Sequence, residues 1–181
     1  MQAKGTELSR QSQPIELLQR TEPFNEEPIG PSKKPIKGRT RLRYLIMSKM
    51  TKLDDDARKI LEGKNFIFLA TVNPDGSPQV TPTWVDTDGH YVLINTAVGR
   101  VKHRNVKKNP QVALAITEQG NPYKLVMIKG RVIEQVTGKV AEDHIDKMAK
   151  KYTGAEKYPN RKPGEKRVLL KIEPHHVSRM R

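Results

Sequence analysis

From residue 52 onwards the hydrophobic positions recur with two periods. In "LDDDARKILEGK" the apolar residues Leu53, Ala57, Ile60 and Leu61 fall on one face at helical spacing. Asp54, Asp55 and Asp56 stand at the start of that segment, where the helix dipole favours negative charge, and Gly63 stands at its stop. The segments "NFIFLATVN", "PQVTPTWVDT" and "HYVLINTA" are rich in β-branched and aromatic residues, with the turn signals "PDGS" and "DGH" between them. They predict three consecutive strands in an antiparallel meander. Val80, Pro82 and Trp84 alternate along the second strand, and a proline there marks an edge or a bulge. Gly99 then breaks the pattern, and Val101 to Lys108 has room for two helical turns before Asn109-Pro110 stops them.

The second half repeats these signals. "QVALAITE" predicts a fourth strand, "QGNP" a turn, and "YKLVMIKGRVIEQVT" a long strand with a bulge or bend at Gly130. "GKVAEDHIDKMAKKYTG" predicts a helix with Val140, Ile145 and Met148 on its apolar face, and "KRVLLKIEPHHVSRM" closes the chain as a sixth strand. Six strands, few helices and regular hairpins predict a mainly β fold, a six-stranded antiparallel barrel. Residues 1–47 lack this periodicity. Their mixture of Pro, Gly, Gln and charge carries too few apolar groups to offset ordering entropy, so they are expected to be a disordered basic extension before a folded domain at 48–181. "MSKMTKLDDDARKIL" reads like a natural start at Met47, and no function is assigned to the residues before it.

Charge narrows the picture. The 181 residues hold 34 Lys and Arg against 20 Asp and Glu. Residues 1–47 account for nine of those cations and five of those anions, so most of the excess lies in the folded part. Such a chain favours anionic partners without saying which. The absence of cysteine excludes disulfides, thiolate catalysis and cysteine-ligated metals. No apolar run approaches the ~20 residues needed to cross a bilayer, and the N-terminus has no apolar signal region. A cytoplasmic protein with no membrane association is expected.

The densest charge lies in "TAVGRVKHRNVKKNP", residues 96–110. It places Arg100, Lys102, Arg104, Lys107, Lys108 and His103 between two strands. Arg104, Lys107 and Lys108 read as a solvated helix face. Arg100 and Lys102 fall at a helix start, where free N–H groups already favour an anion. Gly99 permits close approach and Thr96 adds a hydroxyl, so this junction can hold one phosphate.

The order of motifs from Phe68 to Ile116, "FLATVNPDGSPQVTPTWVDTDGHYVLINTAVGRVKHRNVKKNPQVALAI", resembles the pyridoxamine 5'-phosphate oxidase-like FMN-binding split-barrel family, and within it the flavin/deazaflavin oxidoreductases. The resemblance covers residues 52–181 and rests on the pieces "LATVxxDGxP", "PxW", a strand ending in Thr, a basic loop with Lys, and "NP", in that order. It implies a six-stranded split β-barrel that forms a homodimer, with FMN or the deazaflavin coenzyme F-420 between subunits and a small-molecule substrate. Carried over by position, Lys102 matches the lysine on the cofactor phosphate and Thr96 the hydroxyl beside it. Thr81, Pro82, Thr83 and Trp84 match the strand along the isoalloxazine ring. Val101 stands where the oxidase branch often has Arg, with Arg100 as its substitute. The polyglutamate tail of the deazaflavin suits the row of cations better than FMN does. The cofactor carries the redox chemistry, so no catalytic side chain is singled out.

The remaining candidates have plainer readings. Trp84, the one tryptophan, is as readily a core residue as a ligand contact. His175 and His176 are adjacent on a strand, point to opposite faces and are not expected to share a metal. His103 and His144 are expected on exposed helix faces, and Tyr152 and Tyr158 on a loop able to cover a pocket. Two other readings remain, a module that carries the cofactor without turnover and a nucleic-acid binder. The second is disfavoured, because no aromatic-basic interleaving, zinc motif or recognition helix is present.

Overall fold

A computed structural model describes residues 51–180, and the expected disordered extension over 1–47 lies outside them. Helix α1 spans Asp55–Glu62, with Asp54 as its cap accepting from the Ala57 amide at 2.9 Å. Strand β1 (Ile67–Val72) and strand β2 (Pro78–Thr83) form a hairpin. Strand β3 is only Asp86–Thr87 and pairs with β4 (Val92–Ala97). Helix α2 (Val101–Lys108) follows, then β5 (Gln111–Glu118), β6 (Asn121–Thr137), helix α3 (Lys139–Thr153) and β7 (Arg167–Arg179).

All strand pairs are antiparallel, in the order β2-β1-β5-β6-β7-β4-β3. The two edge strands, β2 and β3, are consecutive in sequence, and only Trp84 and Val85 lie between them. Strands in a flat sheet stand ~4.8 Å apart, which would separate the edges of seven strands by roughly 29 Å. Thr83 and Asp86 are three peptide steps apart and span at most about 11 Å. The sheet therefore has to curl until its edges nearly meet. The expected split barrel is present, with seven strands rather than six. The expected second strand divides at Trp84–Val85, and its two parts pair with opposite edges of the sheet. The anticipated meander is thus two hairpins on either side of a seam.

The barrel interior follows from alternation. Ile67 and Leu69 of β1, Ile94 of β4, Ile116 of β5, Ile128 of β6 and Leu170 of β7 are all buried in one core. The apolar face expected for α1 is buried as well. On α3, Ile145 and Met148 are buried as expected, but Val140 is 57% exposed and Ala141 takes the inward place. Val140 lies in the first turn, where the apolar stripe has rotated away from the sheet. Gly130 does mark a bulge, since the β6–β7 register shifts between Lys129 and Gly130. A Cβ on Gly130 would sit 2.6 Å from the Glu173 carbonyl oxygen, so the strands approach more closely than any other residue permits.

The end of α3 clamps the seam. Lys151 Nζ donates to the carbonyls of Leu61 and Val85, both at 2.9 Å. Tyr152, a helix residue rather than the loop residue expected, donates its hydroxyl to the Asn65 carbonyl at 2.6 Å and accepts from the Val85 amide at 3.1 Å. Burial pushes the Tyr152 hydroxyl above its ordinary pKa and Lys151 below its own. Tyr152→Phe leaves the Val85 amide without its acceptor. It is expected to cost about 1–2 kcal/mol, read as a lower urea midpoint at unchanged slope. An unchanged midpoint would show that the clamp does not hold the seam.

Candidate functional site

An open cleft of about 210 Å³ runs along the seam. One wall is Phe66, Pro82, Thr83 and Trp84, from the β1–β2 edge and the crossover. The opposite wall is Asn95 of β4, Ile145 of α3, Tyr158 and Arg167, with Arg100 and Asn160 completing the lining. The aromatic wall is built by packing. Trp84 stacks on Tyr152 with ring centroids 5.2 Å apart and planes 8° from parallel, and Tyr158 meets Trp84 edge-on at 5.9 Å. A rigid, partly exposed indole on an apolar wall is suited to a flat aromatic ligand.

The polar wall is cationic. Arg167 is 3% exposed, and its Nε donates to Asn95 Oδ1 at 2.8 Å. Its Nη1 donates to Glu165 Oε1 at 2.7 Å, and its guanidinium carbon lies 5.2 Å from the Tyr158 ring centroid. Asn95 is held in turn through Nδ2, which donates to the Ala141 carbonyl at 2.7 Å. Arg100 Nη2 reaches the other oxygen of the same carboxylate, Glu165 Oε2, at 2.9 Å. Lys102 is half-buried on the first turn of α2. Burial pushes its pKa down, and the charges of Arg100 and Arg167 push it the same way. Two guanidiniums thus share one carboxylate, and Lys102 adds a third positive charge close to them. The start of α2 has no side-chain cap and no acidic residue in its first turn, so its free N–H groups add to the positive field.

The residues singled out in sequence are distributed unevenly. Pro82, Thr83, Trp84 and Arg100 line the cleft, and Lys102 lies within electrostatic reach of Arg100 and Arg167. Thr96 is buried on the face of β4 opposite Asn95, and Thr81 shares the inward face of β2. The Oγ1 atoms of both threonines are buried without a hydrogen-bond partner. Gly99 lies at φ 85°, a left-handed turn at the start of α2. Its amide donates to His103 Nδ1 at 3.0 Å, so His103 is buried under α2 as a neutral acceptor rather than exposed. Burial, then the charge on Lys107, lowers its pKa.

His144 is also buried rather than exposed. Its Nε2 stands 3.6 Å from Asp86 Oδ2, while Lys147 Nζ reaches the same oxygen at 2.5 Å. Burial raises the Asp86 pKa, but His144 and Lys147 outweigh that and hold the carboxyl well below its usual range. Both histidines are covered because the helix faces that carry them pack on the barrel. Among the described residues no group of three or more His, Asp and Glu side chains is placed to hold a metal ion. Asn95, Glu165 and Arg167 carry no local signal. Arg167 is one cation among several in "KPGEKR", and only the fold turns it towards the cleft.

A family model described as pyridoxamine 5'-phosphate oxidase matches residues 53–181. The chain belongs to the pyridoxamine 5'-phosphate oxidase family. Among solved structures of this fold, an F420 reductase is 30% identical at a TM-score of 0.59, and the match covers 67% of this chain and 94% of that one. A conserved hypothetical protein from Mycobacterium tuberculosis is 22% identical at a TM-score of 0.55, covering 71% and 84% respectively, a likeness of fold alone. Among curated proteins none matches this chain. Among the described residues no helix is long and apolar enough to cross a membrane.

Proposed function

We propose that this member of the pyridoxamine 5'-phosphate oxidase family is an oxidoreductase that binds a deazaflavin, coenzyme F-420, or FMN along the seam and exchanges a hydride with a small organic substrate. The observation that carries this reading is the gathering of Arg100, Lys102 and Arg167 beside an aromatic-walled cleft, with a single carboxylate shared by the two arginines. The residues present fit such a cofactor. The excess of cations beside the cleft suits its phosphate. When bound, it would supply two-electron hydride chemistry. Lys102, Arg100 and the free amides of α2 bind the phosphate. Trp84 and Pro82 orient the ring, and the unpaired edge of β2 offers backbone donors and acceptors to it. Positive charge near the ring favours its reduced, anionic form. The cations of α2 and the likeness to an F420 reductase support the deazaflavin over FMN.

A cleft of this size does not enclose a tricyclic ring, and a second wall is needed. The outer face of β1, β2, β5 and β6 offers it. Phe68 pairs with Pro82 and Ala115, and Ala115 with Met127, which makes an apolar stripe that begins at the cleft. Phe66, Phe68 and Val80 on this side are about half exposed. A second copy of the chain seated there forms a homodimer and completes the site.

Two experiments test this reading. Parallel titrations with FMN and coenzyme F-420 should show Lys102→Ala weakening binding by ~1.5–3 kcal/mol, one to two decades in Kd. Lys108→Ala should change FMN binding little and affect the tailed deazaflavin more, an effect that fades with salt. Equal small losses at both positions with both cofactors would mean a diffuse positive surface without a phosphate grip. Sedimentation at micromolar concentration with cofactor should give a dimer of the 20.6 kDa chain, and Phe68→Glu should give a monomer with weakened cofactor binding. A wild-type monomer that still binds cofactor tightly would remove the second wall from the account.

A further inference from the structure

The carboxylate of Glu165 sits where an anionic ligand would be expected. Its two oxygens are divided between two guanidiniums, Oε2 on Arg100 at 2.9 Å and Oε1 on Arg167 at 2.7 Å. That is the arrangement a phosphate adopts between two arginines. Glu165 is well covered, with its side chain 14% exposed, although it lies on a loop. It is the one carboxylate shared by these guanidiniums, and Lys102 beside them has no ion-pair partner among the described residues.

The surroundings let Glu165 leave while the guanidinium stays. The segment between α3 and β7 is pinned upstream, where the Tyr158 amide donates to Asp146 Oδ1 at 2.9 Å and Arg161 pairs with Asp146 and Glu142. It is pinned again downstream, where the Arg167 amide donates to Glu142 Oε1 at 3.0 Å. Between these anchors lies a single turn, closed by the Glu165 amide on the Lys162 carbonyl at 3.0 Å, with Gly164 at φ 75°. That turn can move without disturbing the rest. Arg167 keeps its Nε bond to Asn95, itself fixed to Ala141, so both of its Nη groups can pass to an incoming anion.

We propose that Glu165 is a built-in occupant of the anion site, bridging Arg100 and Arg167 in place of the phosphate of a phosphate-bearing ligand and exchanged for that phosphate on binding. The identity of that ligand as a flavin-type cofactor rests on the preceding reading, whereas the exchange itself needs only a phosphate. A resident carboxylate keeps the buried guanidinium paired when the cleft is empty, where an uncompensated buried charge would be costly. It also makes the site selective. A neutral ligand cannot replace the carboxylate's charge, whereas a phosphate replaces it with equal or greater charge.

The test is calorimetric titration of inorganic pyrophosphate, FMN and riboflavin into the wild-type protein, Glu165→Gln and Glu165→Asp. Glu165→Gln keeps the shape and removes the competing charge, so pyrophosphate and FMN should both bind about ten-fold tighter, while riboflavin, which lacks the phosphate, is unchanged. Glu165→Asp, too short to bridge both arginines, should fall in between. Tighter pyrophosphate with no FMN binding in any protein would uphold the exchange and exclude FMN as the ligand. FMN binding to wild type that is equal or weaker in Glu165→Gln, with pyrophosphate likewise not tightened, would overturn the exchange and leave the flavin reading standing. Pyrophosphate that binds neither wild type nor either variant would also overturn it.

Discussion

Two residues between two edge strands shape this molecule. Because Trp84 and Val85 alone join β2 to β3, a seven-stranded sheet has to close on itself, and its closure leaves a seam rather than a hydrogen-bonded joint. The core of alternating aliphatic side chains would fill a barrel of many shapes. The short crossover selects the one in which the free edge of β2 faces β4 across a gap. The clamp at the end of α3 holds that crossover, with Lys151 on the Val85 carbonyl and Tyr152 on the Val85 amide. The same tyrosine is the surface on which Trp84 stacks. Fold closure and the aromatic wall of the cleft therefore rest on the same few contacts.

The charges fall into two groups. Asp86, His144 and Lys147 tie α3 to β3 and keep the far side of the seam in place. Arg100, Lys102, Glu165 and Arg167 gather at the cleft itself, with positive charge in excess. The first group is nearly balanced and structural. The second holds a buried guanidinium, a half-buried ammonium and an uncapped helix start, with one carboxylate taken up by the two arginines, an arrangement that favours an added anion. The net charge of the chain sets the sign of the partner, while this local imbalance sets its place.

Much of the fold was legible in the sequence because hydrophobic alternation and turn chemistry are local. The helix over Val101–Lys108 and the bulge at Gly130 fall where their signals stand. The division of the second strand was not legible, because Trp84 and Val85 continue its alternation and only long-range pairing shows that Thr83 and Asp86 serve opposite edges. Of the candidate site residues, Pro82, Thr83, Trp84 and Arg100 meet at the cleft. Asn95 and Arg167 were missed because their aim at the cleft depends on the β4–β7 register, which pairs Asn95 with Leu169 and Ala97 with Arg167. His103 and His144 looked exposed because polar residues on short helices usually are. Here the helices lie on the barrel with those faces down, and each ring acquires a polar neighbour, the Gly99 amide or Asp86.

The central claim is that the seam beside Trp84 is where the ligand lies. As this is the one tryptophan of the chain, its emission reports on the seam alone. Titration with FMN or coenzyme F-420, followed by tryptophan fluorescence with bound ligand measured in parallel by ultrafiltration, should show quenching that saturates with the bound fraction. Stoichiometric binding with tryptophan emission unchanged would place the ligand elsewhere and contradict the account.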